Sequence, residues 1–287
     1  MFARMTLTEA RNIAVQQLTA VTEPGEAQAI AEELLHYVSG IKKNERARSQ
    51  MLDLSEEKIN LFYSKLNRIV AGEPMQYVLE EAWFFDLKLK VSPAVLIPRP
   101  ETEELVEWII SYCRFPIEKL DILEMGTGSG CIAIALKKRL RKATVTAIDI
   151  SKDALAIAEE NARTLGIDTK FLQGDLFDKE SWSFWPSFSI LVSNPPYIPL
   201  ADQLTMEQRV IAHEPSLALF VPDEDPLCYY SALGNLLLEK GLPGAQLFCE
   251  MNAELATTTQ NLFIEMGLHT ELKKDMQGKD RMIRVWR

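Results

Sequence analysis

The chain is poor in the residues that build covalent or metal cross-links. Four cysteines and three histidines are scattered through 287 residues. Cys113, Cys131, Cys228 and Cys249 form no Cys-x-x-Cys pair, and His36, His213 and His269 lie far apart. That spacing indicates neither a disulfide framework nor a zinc site. No apolar run reaches the ~18 residues that a membrane helix needs. The opening Met1-Phe2-Ala3-Arg4-Met5 has no apolar signal region. A reducing, cytoplasmic location without membrane attachment is therefore expected. Basic residues are outnumbered 31 to 41, so the net charge is −10 and the pI is near 5.0. This balance argues against stable nucleic-acid binding and suits a basic protein partner. Internal repeats and low-complexity tracts are also absent.

What is present is an ample apolar fraction, 47%, enough for one large domain and one small one. The first ~70 residues read as helix. Thr6-x-x-Glu9 has the form of a capping box. Ala10, Ile13, Ala14, Leu18 and Val21 follow at helical spacing. Pro24 marks a second start, with Ile30, Leu34, Leu35 and Val38 on one face. Ser55 marks a third, carrying Ile59, Phe62, Tyr63, Leu66, Ile69 and Val70, and Gly72 suits its C-terminal cap. The basic stretch Lys42 to Arg48 reads as a solvated face. The period then changes to two. Trp83, Phe85, Leu87, Leu89 and Val91 alternate with Phe84, Asp86, Lys88 and Lys90, as in a half-buried strand that forms one arm of a hairpin. From about Leu120, strands alternate with helices. Strands are expected at 121–125, 144–149, 169–173, 189–193, 245–250, 268–274 and 281–287. Helices are expected notably at 151–165, 225–240 and 252–266. Such units build a doubly wound, mostly parallel sheet, with an antiparallel pair at the last edge. The expected organisation is a helical bundle over 1–73, a hairpin connector over 74–98 and an α/β domain over 99–287.

Two motifs carry the chemistry. The strand Ile122 to Met125 runs into Gly126-Thr127-Gly128-Ser129-Gly130 and then into a helix. Glycines there let backbone adopt unusual dihedrals, and a helix start offers free N–H groups. Asp149, nineteen residues beyond Gly130, ends the next strand. An acid at that place hydrogen-bonds ribose hydroxyls. The third glycine comes one residue too early for a dinucleotide fingerprint, and Gly-Lys-Ser/Thr of a phosphate loop is missing. Glu124, just before the glycines, would repel a pyrophosphate and suit an ammonium. S-adenosylmethionine, with an amino-acid end and a ribose, fits acids at both strand ends. The second motif is Asn194-Pro195-Pro196-Tyr197, after the apolar strand Ile190-Leu191-Val192. Two prolines force the chain out of the sheet. The Asn194 amide oxygen and the Pro195 carbonyl can accept both hydrogens of a planar NH₂ group, over which Tyr197 can close.

Together, Leu-Ile-Pro-Arg-Pro-Glu-Thr-Glu (96–103), Gly-Thr-Gly-Ser-Gly-Cys-Ile-Ala (126–133), Asp149-Ile150-Ser151 and Val-Ser-Asn-Pro-Pro-Tyr-Ile (192–198) resemble the PrmC/HemK methyltransferases. These are N5-glutamine methyltransferases of peptide chain release factors. The resemblance covers nearly the whole chain and is strongest over 91–198. It implies a class I, Rossmann-like fold with a seven-stranded sheet, S-adenosylmethionine as donor, and the glutamine of the Gly-Gly-Gln tip of class-1 release factors as substrate. It further implies that Gly126 to Gly130 wrap the methionine part of the cofactor and that Asp149 takes the ribose. Ile150 then packs on the adenine, which Asp175-Leu176-Phe177 brackets. Asn194, Pro195, Pro196 and Tyr197 grip the substrate amide, with Asn194 also beside the cofactor. Arg99 to Glu103 lie near the entrance. A monomer is expected. A nucleic-acid adenine-N6 methyltransferase shares the Asn-Pro-Pro-Tyr clamp and stands as the alternative, beside a silent cofactor-binding module and a nicotinamide-dependent oxidoreductase.

Three stretches depart from that pattern. Glu80 stands where the family usually has glycine. Phe220-Val221-Pro222-Asp223-Glu224-Asp225 replaces a Gly-Gly-x-Asp-Gly segment after Glu214-Pro215-Ser216-Leu217-Ala218-Leu219. Glu250-Met251-Asn252-Ala253-Glu254-Leu255 replaces Glu-Ile-Gly-x-x-Gln. The departures bear on loop shape at the sheet rim and spare the chemical motifs.

Overall fold

The computed structural model describes residues 4–41, 52–113 and 120–287. The basic stretch Lys42 to Arg48 lies outside the described residues. The chain divides into two units, residues 1–80 and 81–287. None of its described helices is long and apolar enough to cross a membrane.

The first unit is helical: α1 (Leu7–Thr19), α2 (Pro24–Ser39), α3 (Glu56–Val70) and the short α4 (Met75–Leu79). The capping box forms. Thr6 Oγ1 accepts from the Glu9 amide at 3.2 Å, and Glu9 Oε2 accepts from the Thr6 amide at 2.8 Å. Pro24 takes the first turn of α2, and Ser55 caps α3. Leu18, Leu34, Leu35, Phe62 and Leu66 are buried in one cluster. Two expected members of that face are not in it. Val21 lies past the end of α1 and is half exposed, and Tyr63 points outward from α3. Val21 would continue the stripe only if the helix did, and Tyr63 sits one step off the 3.6-residue stripe of Phe62, Leu66 and Ile69.

Glu80 ends α4 with φ 61 and ψ 26, the left-handed conformation. This is where the resembling family has glycine, the residue suited to a helix C-terminus of this shape. A side chain there costs ~1–2 kcal/mol.

In the second unit, β1 (Glu81–Phe84) and β2 (Leu87–Lys90) form a hairpin. The expected single strand over Trp83 to Val91 is therefore two arms. Phe85 (φ 49) and Asp86 (φ 60) are the two turn residues, a geometry that matches the twist of flanking strands. The turn shifts the parity of burial. Ala82 and Phe84 face inward before it, Leu87, Leu89 and Val91 after it, and Trp83 is exposed.

The helix α5 (Pro100–Tyr112) precedes an alternating run: β3 (Asp121–Met125), α6 (Cys131–Arg139), β4 (Thr144–Asp149), α7 (Lys152–Leu165), β5 (Lys170–Gln173) and β6 (Phe188–Ser193). Then come β7 (Ile198–Pro199), α8 (Gln208–His213), β8 (Phe220–Val221), α9 (Cys228–Lys240), β9 (Gly241–Glu250), α10 (Ala256–Glu265), β10 (His269–Lys274) and β11 (Asp280–Trp286). The sheet has seven strands in the order β10-β11-β9-β6-β3-β4-β5. β3 to β6 and β9 pair in parallel, and β10 and β11 are antiparallel, as expected at that edge. Successive strand residues point to opposite faces. Leu123, Leu191 and Leu247 pack with α9 and α10, whereas Ile122, Ile190 and Phe248 pack with α5 and α6. Strand order reverses between β3 and β6, so their carboxyl ends flank the crevice in which such sheets bind ligands.

Replacing Glu80 with glycine should stabilise the protein. Relief of the left-handed strain exceeds the added chain entropy by roughly 0.5–1 kcal/mol. The check is the urea midpoint of Glu80→Gly, and an unchanged or lower midpoint would refute the strain.

Candidate active site

The crevice holds a cavity of about 330 Å³. Its floor is the turn after β3. Gly126, Gly128 and Gly130 have positive φ of 74, 54 and 80. At Gly130 a Cβ would also lie 3.0 Å from Ile134 Cδ1 and 3.1 Å from Ala158 Cβ, so α6 can start here only with a glycine. The turn is tied to β4 by the amides of Gly126 and Thr127, which donate to the Ile148 carbonyl at 2.8 and 3.1 Å. Asp149 completes the tie. Its Oδ2 accepts from the Gly128 amide at 2.8 Å and its Oδ1 from the Ser151 amide at 2.9 Å. Burial raises the Asp149 pKa above the ordinary value, and these amides oppose the rise. Each carboxylate oxygen keeps a second lone pair for a hydroxyl.

Glu124 is fully buried and lines the same cavity. Its Oε2 accepts from Thr127 Oγ1 at 2.8 Å and from the Ala133 amide at 3.0 Å. Its Oε1 has no partner among the described residues. Burial pushes Glu124 up to about 8, with the Asp149 charge adding to the rise. An orphaned buried acceptor costs ~1–3 kcal/mol, and the ammonium of S-adenosylmethionine would satisfy it. The residues present therefore fit that cofactor.

Every cofactor residue expected from the sequence lines this cavity: Gly126, Thr127, Gly128, Ser129, Asp149, Ile150, Asp175, Leu176 and Asn194, with Gly130 shaping the turn from beneath. Ile150 is 45% exposed, which leaves its face open to a flat ring. Tyr229 of α9 was not foreseen. It stands edge-on to Phe177, with ring centroids 4.9 Å apart, on the same wall. The burial-raised Cys131 thiol, up to about 12, also lies on the wall and stays protonated.

The Asn-Pro-Pro-Tyr segment leaves β6 beside the turn. Ser193 Oγ donates to the Met125 carbonyl at 2.8 Å, locking the two strand ends together. Asn194, Pro195 and Pro196 line the cavity, and Asn194 and Pro195 also line a smaller one of about 160 Å³. Tyr197 lies only on the smaller cavity. Its phenol donates to Glu250 Oε1 at 3.2 Å, so it does not swing freely over the larger one.

The Arg99 to Glu104 stretch has a use for nearly every side chain. Arg99 Nη2 lies 2.6 Å from Glu214 Oε1, whose other oxygen accepts from the Ile97 amide. Thr102 Oγ1 donates to Glu250 Oε2 at 2.7 Å and stands 3.1 Å from Asn194 Nδ2. Glu103 accepts from the Phe85 amide and Glu104 from the Met276 amide. Burial pushes Glu250 up to about 7, against Thr102, Tyr197 and the Arg281 charge. The altered rim also closes on itself. β8 pairs with β7, and Asp223 accepts from the Ala201 amide at 2.9 Å.

Ligand-free Glu124 is protonated below about pH 8, and an ammonium beside it favours the carboxylate. Binding should then release a proton, so affinity for S-adenosylmethionine should rise by up to tenfold per pH unit from ~6 to ~8. Glu124→Gln should lack that component. Calorimetric Kd values across this range provide the check, and parallel pH dependences in the two proteins would refute it.

The chain matches the PrmC N-terminal domain over residues 9–79 and the methyltransferase small domain over residues 110–217. It is 38% identical over 274 residues to the release factor glutamine methyltransferase of Flavobacterium psychrophilum, covering 94% of this chain and 95% of that one. The enzyme of that name from Bacteroides thetaiotaomicron is 37% identical over 270 residues, covering 93% and 95%. A methyltransferase from Pyrococcus furiosus shares the fold at a TM-score of 0.51 and 15% identity, over 78% of this chain and 97% of that one. With identity at this level across more than nine-tenths of both partners in each of the two sequence pairs, the chain belongs to the family of release factor glutamine methyltransferases.

Proposed function

We propose that this protein transfers a methyl group from S-adenosylmethionine to the side-chain amide nitrogen of the glutamine in the Gly-Gly-Gln tip of class-1 release factors. The observation that carries this is that Asn194, with a side-chain acceptor, and Pro195, with a backbone acceptor and no N–H, both line the wall shared by the two cavities. Family membership supplies the substrate class. The acidic balance favours a protein acceptor over nucleic acid.

The cofactor, when bound, supplies an electrophilic methyl on a sulfonium. The chain's own residues act on the acceptor. An amide nitrogen is a poor nucleophile because its lone pair is delocalised into the carbonyl. Asn194 Oδ1 and the Pro195 carbonyl accept its two N–H groups, fix the plane and raise electron density on nitrogen. One face of the nitrogen is thereby aimed at the donor. Orientation of this kind can supply roughly 7–11 kcal/mol. The N–C bond forms as the S–C bond breaks, and the alkylated nitrogen then loses a now acidic proton to water. No protein base is needed. Gly126 to Gly130, Asp149, Ile150, Asp175 and Leu176 hold the cofactor, with Glu124 on its ammonium.

We assign the first unit to recognition of the intact factor, because the chemistry lies wholly in the second. Removing residues 1–80 should raise KM for the intact factor. Methylation of a short Gly-Gly-Gln peptide serves as the control for a folded second unit. An unchanged KM would overturn this assignment.

The direct test is transfer of labelled methyl to a purified class-1 release factor, beside its Gly-Gly-Gln glutamine-to-alanine variant and beside duplex DNA. Label on the native factor alone is expected, and label on DNA would favour an adenine methyltransferase. Asn194→Ala should reduce turnover at least tenfold, ~1.4 kcal/mol or more, with cofactor affinity nearly unchanged. A smaller loss would remove the amide clamp from the mechanism.

A further inference from the structure

An asparagine amide can face its neighbours either way round, and only one orientation presents an acceptor to a substrate N–H. Hydrogen-bond partners decide which end is which. At this site the decision is made two residues away from the substrate. Glu250, at the carboxyl end of β9, accepts at both oxygens: from Thr102 Oγ1 at 2.7 Å and from the Tyr197 phenol at 3.2 Å. A threonine hydroxyl has one proton to give. Once that proton points at Glu250, Thr102 can offer Asn194 only a lone pair. Asn194, 3.1 Å away, must then turn its NH₂ group towards Thr102. Its Oδ1 is left without a partner among the described residues, and Asn194 lines the cavity. Thr102 and Glu250 are each 2% exposed.

We propose that Thr102 and Glu250 are positioning residues that set the amide orientation of Asn194 and so supply the acceptor on which methyl transfer depends. The inference rests on the methyl-transfer reading above. Glu250 also grips the motif at both ends, at Asn194 through Thr102 and at Tyr197 directly. The segment is thus oriented as one piece. This gives the Arg99 to Glu103 stretch a definite part: Thr102 reaches Asn194 across 92 residues of sequence.

The test separates the hydroxyl from the bulk of the side chain. Thr102→Val keeps the shape and removes the hydroxyl, so the Asn194 NH₂ loses its acceptor and is driven to turn away from the new apolar surface. Its kcat on a class-1 release factor should fall about thirtyfold, with KM for the factor and Kd for S-adenosylmethionine within about threefold of wild type. Thr102→Ser should restore kcat to within about threefold. Glu250→Gln gives an independent route. An amide can present its NH₂ to Thr102, which turns its proton to Asn194 and reverses that side chain, so kcat should fall here too while Tyr197 keeps a partner. A Thr102→Val enzyme with near-normal kcat overturns the relay. So does a serine variant as impaired as the valine one, because the methyl group, and not the hydroxyl, would then matter. Failure of wild type itself to transfer label overturns the methyl-transfer reading and the relay with it, whereas wild-type transfer with an unaffected valine variant overturns the relay alone.

Discussion

The parallel pairing of β3 with β6 is the constraint on which the site depends. Met125 lies opposite Ser193, and the Ser193 hydroxyl donates to the Met125 carbonyl at 2.8 Å. One strand continues into a turn whose glycine amides are spent on the Ile148 carbonyl, the Asp149 carboxylate and the Thr127 carbonyl, which holds the turn rigid. The other continues into two prolines, which have no N–H. The rigid glycine turn and the acceptor-bearing proline segment therefore leave the sheet side by side, a single strand spacing, about 4.8 Å, apart. Because strand order reverses at this pair, no connecting helix fills the gap.

Asp149, Glu250 and Glu124 stand around the crevice, and each carboxylate is treated differently. Burying a carboxylate without partners costs several kcal/mol. Asp149 meets that cost with the amides of Gly128 and Ser151, and in doing so fixes the glycine turn. Glu250 meets it with two hydroxyls and becomes a fixed acceptor that orders its neighbours. Glu124 is satisfied at one oxygen only. The asymmetry separates structural acids from the one left open to a cationic ligand.

Much of this was legible from local chemistry. The strand–glycine turn–helix unit and the proline break after β6 each state their reason within ten residues, and the acid ending the next strand does so within about twenty. The strands were placed within a few residues because a short continuous apolar run, buried on both faces of the sheet, is a local property. What was not legible depends on distance or on parity. Thr102 and Glu250 are 148 residues apart and meet only through the order of strands in the sheet. Tyr229 reaches the cofactor wall from α9, whose sequence reads as an ordinary core helix. The hairpin over 81–90 was taken for one strand because a two-residue turn of Phe85 and Asp86 carries neither glycine nor asparagine. The aromatic ring that disguised this turn lies under the Arg139 guanidinium, 4.9 Å from its centroid.

The titratable groups near the acceptor explain why orientation must do the chemistry. Burial raises the Tyr197 phenol above its ordinary range, so it stays a donor. Burial likewise keeps the Cys131 thiol protonated. Glu250 has both oxygens occupied, and the open oxygen of Glu124 is assigned, on the proposed function, to the cofactor's ammonium. None of these groups is free to take a proton from the substrate nitrogen before the N–C bond forms. A neutral amide has no low-lying anion to exploit in any case, so a base would contribute little. The catalytic power must then come from holding the nitrogen's lone pair in line. On the proposed mechanism, the Pro195 carbonyl and the oriented Asn194 amide are the two features of this site that do so.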